Sequence, residues 1–310
     1  MPSIPARMIN NYLSMKMKPL PLADMDPTKI REVFEKAPAP FLPSDVRTIS
    51  IDERGPAGAV KGEWHLAPAI DPSRQHDRTI LYIHGGGYVF GSPRTHRSLT
   101  FALTRRTDAP VFSLDYRLAP EHQCPAAIDD AEAAFEWLIA GGRSPSQIVV
   151  GGDSAGGGLA LALLHRLRDR GAKTPAGAFL YSPWTDLTAS GASYEENEAT
   201  DYMFQTAHVR RGAGRYAGSL AGNDPRVSPL FGSMDRLPPL LVFASASELL
   251  RDDSVRLVEK ARRAGVKVDF VLREGLVHVW PVFSPIMPEA NDAVARTVEF
   301  IREPGSTNAD

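Results

Sequence analysis

Gly152-Asp153-Ser154-Ala155-Gly156 lies between the apolar run 147–150 and a predicted helix over about 155–170. A serine flanked by glycines at the junction of a strand and a helix sits on a turn too tight for larger neighbours, and the turn lifts its hydroxyl to the mouth of a cleft. Earlier in the chain, His84-Gly85-Gly86-Gly87 ends the apolar run 79–83. A glycine loop after a strand brings bare backbone N–H groups beside such a serine, where an oxyanion would form. The two segments predict a serine-dependent hydrolase of acyl compounds.

Composition argues against several other classes of protein. Of the 310 residues, 43% are hydrophobic and 23% are charged, as is usual for a globular protein. A formal net charge of −2 argues against a nucleic-acid-binding surface, which needs a basic excess. No apolar run approaches the roughly 18 residues of a membrane span, and the first residues lack the apolar core of a secretory signal. Because Cys124 is the only cysteine, no internal disulfide is possible, and we expect a cytoplasmic protein.

Strands alternate with helices along most of the chain, which predicts an α/β fold. The expected strands are 46–51, 59–65, 79–84, 110–115, 147–151, 176–181, 240–244 and 268–272. The expected helices that follow or separate them are 126–140, 155–170, 253–264 and 289–302. This order implies one domain over residues 1–310, with a mostly parallel, twisted sheet flanked by helices on both faces.

Two segments break the alternation and predict a cap over the cleft. The first, residues 1–40, has the pattern of one or two short helices, interrupted at Pro19, Pro21, Pro27, Pro38 and Pro40. The second, about 185–224, is polar with a helical middle at 207–220, and it is too long for a plain connection between a helix and a strand. We therefore expect about 1–40 and 185–224 to form a helical cap.

Three motifs carry a resemblance to a known family: His84-Gly85-Gly86-Gly87-Tyr88-Val89-Phe90-Gly91-Ser92, Asp115-Tyr116-Arg117-Leu118-Ala119-Pro120-Glu121-His122, and Gly152-Asp153-Ser154-Ala155-Gly156-Gly157. With these motifs the chain resembles the bacterial hormone-sensitive-lipase family of α/β-hydrolases. Ser182-Pro183-Trp184 and the region around His278 are also similar to that family, so the resemblance spans about residues 75–302. It implies an α/β-hydrolase sheet, a helical cap and carboxylesterase activity on short acyl chains.

His278 is the candidate base for the serine. A serine hydroxyl is a weak nucleophile unless a histidine removes its proton, and a carboxylate must orient that histidine. In α/β-hydrolases the chain order is serine, acid, histidine. His278 comes directly after the strand 268–272, whereas His208, which also follows Ser154, falls in the cap segment. We interpret the other histidines as structural, with His84 shaping the glycine loop.

Two carboxylates stay open as the triad acid. The resemblance implies that the acid is the first residue of Asp-Pro-Leu-x-Asp, and the matching run here is Glu248-Leu249-Leu250-Arg251-Asp252, with Glu for Asp and Leu for Pro. We predict Glu248 because it lies closest to the end of the strand 240–244, and Asp252 is the alternative. Asp252 and Asp253 precede a helix, where aspartate is a good N-cap.

Backbone N–H groups of Gly86, Gly87 and Ala155 are the predicted oxyanion hole. Gly85 is a less favoured contributor to it. Glycine is expected in this loop because a Cβ would collide with the acyl carbonyl of the substrate. The segment therefore has a use beyond a tight turn.

Four side chains have two interpretations: they line the acyl pocket or they pack in the core or the cap. They are Tyr88, Tyr202, Met203 and Phe204. No cluster of cysteine, histidine and aspartate has the spacing of metal ligands, so we expect no metal.

The sequence thus predicts an esterase that forms an acyl-enzyme on Ser154, with His278 as acid–base and Glu248 orienting it. It needs no cofactor, its partner is a small-molecule ester, and a homodimer is left open. The same residues would also cleave a lactone, a carbamate or an amide. A non-catalytic small-molecule receptor is the alternative of another class. Plant gibberellin receptors resemble the family yet lack the catalytic histidine, so His278 argues against that alternative.

Overall fold

An eight-stranded sheet lies at the centre of the molecule, whose computed structural model describes residues 1–36 and 42–306. Its strands are β1 (Arg47–Gly55), β2 (Gly58–Leu66), β3 (Thr79–Ile83), β4 (Val111–Leu114), β5 (Ile148–Asp153), β6 (Gly177–Tyr181), β7 (Leu240–Ser245) and β8 (Val268–Arg273). The spatial order is β1-β2-β4-β3-β5-β6-β7-β8. Of the expected chain breaks, Pro38 and Pro40 lie outside the described residues.

The sheet is parallel from β4 to β8, and β1 and β2 are antiparallel at one end. The predicted α/β-hydrolase fold with a mostly parallel sheet is confirmed. The chain places β4 on one side of β3 and β5 on the other, with Ile83 paired to Gly152 at the strand ends. In an open α/β sheet, ligands bind outside the carboxyl ends of the strands at such a switch in strand order. This topology brings the glycine loop and Ser154 to the same crevice.

Helices cover the sheet. They are α1 (Ile4–Lys16), α2 (Pro27–Glu35), α3 (Arg97–Thr107), α4 (Ala126–Ala140), α5 (Ala155–Asp169), α6 (Ser193–Glu196), α7 (Thr206–Ala217), α8 (Arg251–Arg263) and α9 (Pro288–Arg302). The sequence analysis missed α3, whose threonines and phenylalanine are modest helix formers. The helix could have been inferred from the topology, because parallel neighbours such as β3 and β4 need a crossover connection, which is usually a helix. Within the described part of the chain, no helix is both long enough and apolar enough to cross a membrane.

The central strands are buried on both faces. Every residue of β3, β5, β6 and β7 is buried, as expected for parallel strands covered on both sides. One apolar layer joins the sheet to α4, α5 and α8, and the other joins it to α3 and α9. The packed layers fix the strands, and therefore also the positions at which the loops leave their carboxyl ends.

The N-terminal segment bonds to distant parts of the chain. At the start of α1, the N–H and hydroxyl of Ser3 donate to the Glu289 carboxylate of α9. Farther along α1, the Asn10 side chain donates to the carbonyl of Gly275 at 2.7 Å. Beyond the helix, Lys18 Nζ donates to the carbonyl of Asp201, also at 2.7 Å. The two segments predicted to form the cap are thus in contact, while their action as a cap stays a prediction.

Candidate active site

Ser154 sits on a sharp turn between β5 and α5. Its φ of 51° and ψ of −121° lie in a region that residues with side chains rarely adopt. A Cβ at Gly152 would overlap the carbonyl of Gly156, and a Cβ at Gly156 would overlap the carbonyl of Ile83. The two glycines therefore allow β5, β3 and α5 to pack closely around the turn. The side chain of Ser154 stays partly exposed at the carboxyl end of the sheet.

Glu248 and His278 form a buried pair. The loop after β7 carries Glu248, and the loop after β8 carries His278; they are 1% and 3% exposed. His278 Nδ1 lies 2.5 Å from one carboxylate oxygen of Glu248, and the other oxygen accepts the Ser245 N–H at 2.8 Å. This contact makes Nδ1 the protonated nitrogen, which leaves Nε2 with a lone pair. Nε2 is buried and has no hydrogen-bond partner among residues 1–36 and 42–306, and such contacts often close only when substrate binds.

Burial lowers the pKa of His278, but the negative charge of Glu248, with smaller contributions from Asp201 and Asp153, raises it by more. The pKa of the imidazole therefore lies above the ordinary histidine value of about 6.5. A raised pKa makes Nε2 a stronger base, which suits proton removal from a hydroxyl.

Asp252, the alternative acid, points elsewhere. Its carboxylate accepts the N–H of Ser193 at 3.0 Å and the Arg251 Nε–H at 2.8 Å. The expected N-cap role is wrong, because α8 begins at Arg251 and its N-cap is Leu250. Asp252 lies in the first turn of α8, and its carboxylate binds the start of α6 at Ser193.

Asp253 is fully buried, and one of its oxygens accepts the N–H groups of Thr185 and Asp186, each at 2.7 Å. It too lies in the first turn of α8 instead of capping the helix. Burial, together with the nearby charge of Asp186, raises the pKa of its carboxyl to about 8. These bonds give Asp253 a structural role between β6 and α8.

The three amides predicted for the oxyanion hole lie in the loop after β3 and at the start of α5. Gly85 N–H is already used, because it donates to Asp153 at 3.0 Å. Within the described chain, Gly86 and Gly87 donate their N–H groups to no acceptor. Ala155 is the first residue of α5, where helical N–H groups have no partner in their own helix. All three are available to an anion, and the role itself stays a prediction.

The glycine loop is also constrained from within. A Cβ at Gly86 would overlap the carbonyl of Phe90, so glycine is required there by the loop itself. At Gly87 a Cβ would meet no atom within 4 Å, and the φ of 59° is the reason for glycine. The expected clash with a substrate carbonyl is therefore not the only constraint. His84 Nδ1 lies 2.8 Å from the carbonyl of Gly85, which gives this histidine the structural contact expected of it.

The sequence analysis missed an acid–histidine pair beneath the loop, formed by the buried Asp153 and the partly exposed His96. One oxygen of Asp153 accepts the Tyr82 hydroxyl at 2.6 Å and the Gly85 N–H, and the other lies 3.4 Å from His96 Nε2. Burial lowers the pKa of His96, but the Asp153 charge raises it above the ordinary value. The pair joins the serine turn to the glycine loop. The sequence could have indicated this pair, because Asp153 ends a buried strand and a buried carboxylate requires a hydrogen-bonding or charged partner.

The four candidate pocket residues separate into two groups. Phe204 meets the His278 ring edge-on, with ring centroids 5.4 Å apart. Tyr202 and Met203 are partly buried and pack against the apolar layer that joins the sheet to α3 and α9. Tyr88 is 2% exposed and stacks on Tyr216 with ring centroids 3.7 Å apart. Packing, the second interpretation, describes Tyr88, whereas Phe204 borders the histidine.

A serine turn, a carboxylate–histidine pair and a glycine loop thus lie at the same end of a parallel sheet, the arrangement typical of hydrolases built on an α/β sheet. Over residues 1–36 and 42–306, no group of three or more histidine, cysteine, aspartate or glutamate side chains is arranged to hold a metal ion. A family model described as alpha/beta hydrolase fold matches residues 80–282.

Known proteins narrow the class further. An acetyl-hydrolase of Streptomyces hygroscopicus is 40% identical over 277 residues, which are 88% of this chain and 87% of that protein. An esterase of Acinetobacter venetianus is 41% identical over 222 residues, 71% of this chain and 73% of its own. The solved structure of an esterase from the bacterial hormone-sensitive lipase family has a TM-score of 0.86 at 38% identity, covering 97% of this chain and 98% of that one. The chain belongs to the bacterial hormone-sensitive-lipase family of α/β-hydrolases, and it is a carboxylic ester hydrolase.

Proposed function

We propose that this esterase cleaves esters of short-to-medium acyl chains through an acyl-enzyme on Ser154, with His278 as acid–base and Glu248 as the orienting acid. The observation that supports this most is the 2.5 Å contact between Glu248 and His278 Nδ1. That contact fixes the tautomer of His278 and leaves a basic lone pair on Nε2. The histidine lies at the carboxyl end of the sheet, as Ser154 does. It is the arrangement that makes a serine hydroxyl nucleophilic.

In the first half of the proposed reaction, Ser154 Oγ attacks the acyl carbonyl while His278 Nε2 takes the hydroxyl proton. The carbonyl oxygen becomes an oxyanion that accepts hydrogen bonds from the N–H groups of Gly86, Gly87 and Ala155. Collapse of this intermediate breaks the ester bond, and the imidazolium returns the proton to the departing alcohol. The acyl group is left on Ser154.

In the second half, water attacks the acyl-enzyme and gives its proton to His278 Nε2. The same oxyanion hole stabilises the second tetrahedral intermediate. As this intermediate collapses, the imidazolium returns the proton to Ser154 Oγ, which releases the carboxylic acid and restores the Ser154 hydroxyl. Glu248 stabilises the imidazolium in both halves, because its negative charge lies against the protonated Nδ1. The amino-terminal end of α5 adds a positive dipole at the oxyanion.

We also propose that about 1–40 and 185–224 act as a cap on a single domain and limit the acyl chain. Phe204 supports this, because it belongs to the second segment and its ring borders His278. A lactone, carbamate or amide hydrolase with the same triad stays an alternative. A cytoplasmic location is proposed on the basis of the single cysteine, and a homodimer is left open.

Chain-length preference tests the proposal directly. With p-nitrophenyl esters from two to sixteen carbons, we expect kcat/KM to be highest for acyl chains of about two to eight carbons, by analogy with the family. A lactone, a carbamate and an anilide are assayed in parallel, and the Ser154→Ala variant supplies the blank. Efficient cleavage of emulsified long-chain triglyceride, with activation at the oil–water interface, would contradict the proposed preference. Binding of esters without any turnover would favour the alternative function of a non-catalytic small-molecule receptor.

The pH dependence follows from the His278 pKa. Neutral imidazole is the active form, so activity is full above the pKa of His278 and is lost as the pH falls through it. Because Glu248 raises that pKa, we expect the acid limb of kcat/KM to lie above pH 6.5, the ordinary histidine value, and to reach a plateau at mildly alkaline pH. A profile that is flat down to pH 5 would show that no histidine base is at work.

A further inference from the structure

Asp201 belongs to the second segment of the proposed cap and contacts the loop that carries the proposed catalytic acid. Its side chain is 2% exposed. One oxygen accepts the N–H of Leu249, the residue after Glu248, at 2.8 Å. The other oxygen accepts the N–H groups of Met203 and Phe204 at 2.7 and 2.8 Å. One carboxylate therefore ties the acid loop to the backbone of the residue whose ring borders the histidine.

Asn197, four residues earlier, makes a second link to the same loop. Its side-chain amide donates to the carbonyls of Ala246 and Glu248 at 2.9 and 2.8 Å. The Asn197 carbonyl also accepts the N–H of Asp201 at 2.8 Å, so the two side chains belong to one turn. The backbone on both sides of the Glu248 Cα is thus held by side chains from outside the sheet.

The N-terminal segment reaches the same turn. Lys18 Nζ donates to the carbonyls of Glu198 and Asp201, each at 2.7 Å. These bonds restrain the backbone of the turn. The N-terminal segment, the second cap segment and the acid loop are therefore joined at Asp201.

We infer that Asp201 and Asn197 are positioning residues that hold the Glu248 carboxylate against His278, an inference that rests on the proposed function. A rotation of the turn at 246–249 would move the carboxylate away from Nδ1. A misplacement of about 1 Å at a catalytic group costs on the order of 100-fold in rate. The cap segment thereby contributes to the chemistry through the acid, in addition to any contact with the substrate.

The charges that face His278 support this role. They are Glu248 from the loop after β7, Asp201 from the cap segment and Asp153 from the end of β5, and all three raise the histidine pKa. Burial raises the pKa of Asp201 itself. The nearby His278 and the backbone N–H groups that donate to the Asp201 carboxylate oppose this rise. Removing the Asp201 charge should therefore lower the pKa of His278.

Asp201→Asn tests the inference. The asparagine side chain has one acceptor oxygen, so it cannot accept N–H groups from both the acid loop and residues 203–204. We therefore expect kcat to fall by about 10- to 100-fold, with KM changed by less than about 3-fold. The acid limb of kcat/KM should move to lower pH. Asp224→Asn is the matched control: Asp224 lies in the same segment and accepts the N–H of Arg226 at 2.9 Å, away from the acid loop. That variant should keep wild-type kcat and the wild-type limb.

A double-mutant cycle with Glu248→Gln separates positioning from general destabilisation. If Asp201 acts through Glu248, Asp201→Asn should have little further effect on kcat in the Glu248→Gln background. Full additivity of the two substitutions would overturn the inference, and so would wild-type kcat with an unmoved acid limb in Asp201→Asn alone.

Asn197→Ala, which leaves the charges of Asp201 and Glu248 in place, provides the test if Asp201→Asn does not fold. It should lower kcat with a smaller change in the acid limb, and wild-type kcat there would also overturn the inference. Turnover retained by Ser154→Ala would instead refute the proposed function.

Discussion

Ser154→Ala is expected to lower kcat for ester hydrolysis by about 10⁶-fold, the loss typical of removing a triad serine. The fold should be retained, because the change deletes one partly exposed hydroxyl that forms no hydrogen bond within the described residues. Alanine keeps the Cβ that the turn already accommodates. Steady-state kinetics with a four-carbon p-nitrophenyl ester and a thermal melt by circular dichroism measure the two quantities.

Ser233→Ala is the control for this variant. Ser233 is an exposed serine whose hydroxyl donates to Asp235 at 2.7 Å, and its carbonyl accepts a hydrogen bond from Arg168, at the end of α5 opposite to Ser154. It should keep wild-type kcat. A Ser154→Ala enzyme that still turns over ester would exclude an acyl-enzyme on Ser154, because alanine has no hydroxyl that can be acylated.

Glu248→Gln is expected to lower kcat by about 10⁴-fold, as when a triad carboxylate becomes an amide. The amide leaves the imidazolium without its counter-charge and permits the wrong tautomer of His278. The Glu248 charge raises the pKa of His278, so its loss should also move the acid limb of kcat/KM to lower pH. Kinetics over pH 5 to 9 measure both changes.

Asp252→Asn is the matched control for the acid. Because Asp252 holds Ser193 and Arg251, we expect near wild-type kcat and a loss of about 1 kcal/mol in the free energy of unfolding. An inactive Asp252→Asn beside an active Glu248→Gln would transfer the role of the acid to Asp252.

Much of the fold could be predicted from the sequence because the central strands are buried on both faces. Such strands are continuous apolar runs, and the expected strand 240–244 differs from β7 by one residue. The helix α3 could not be found in this way, because its apolar face is interrupted by threonines. The start of α8 was misjudged because aspartate near a helix start has two uses, as a cap and as a partner for a neighbouring segment.

The candidate site divides in the same way. Ser154 and the glycine loop lie in local motifs, and His278 follows from chain order, so the sequence alone indicates them. His96 and Asp201 have no local pattern. Each is defined by a partner on another element: His96 by Asp153, and Asp201 by Leu249, 48 positions away. Such residues become visible only when the topology brings the loops together.

The bonds of α1 have a consequence for how the molecule is made. Asn10 is separated from its acceptor Gly275 by 265 positions, and Ser3 from Glu289 by 286. At about 5 to 20 residues per second, a ribosome needs on the order of 10 to 50 s to reach these partners. Throughout that time α1 has no docking place beside the His278 loop. The bonds that hold α1 to Gly275 and Glu289 therefore form only after nearly the whole chain has been made.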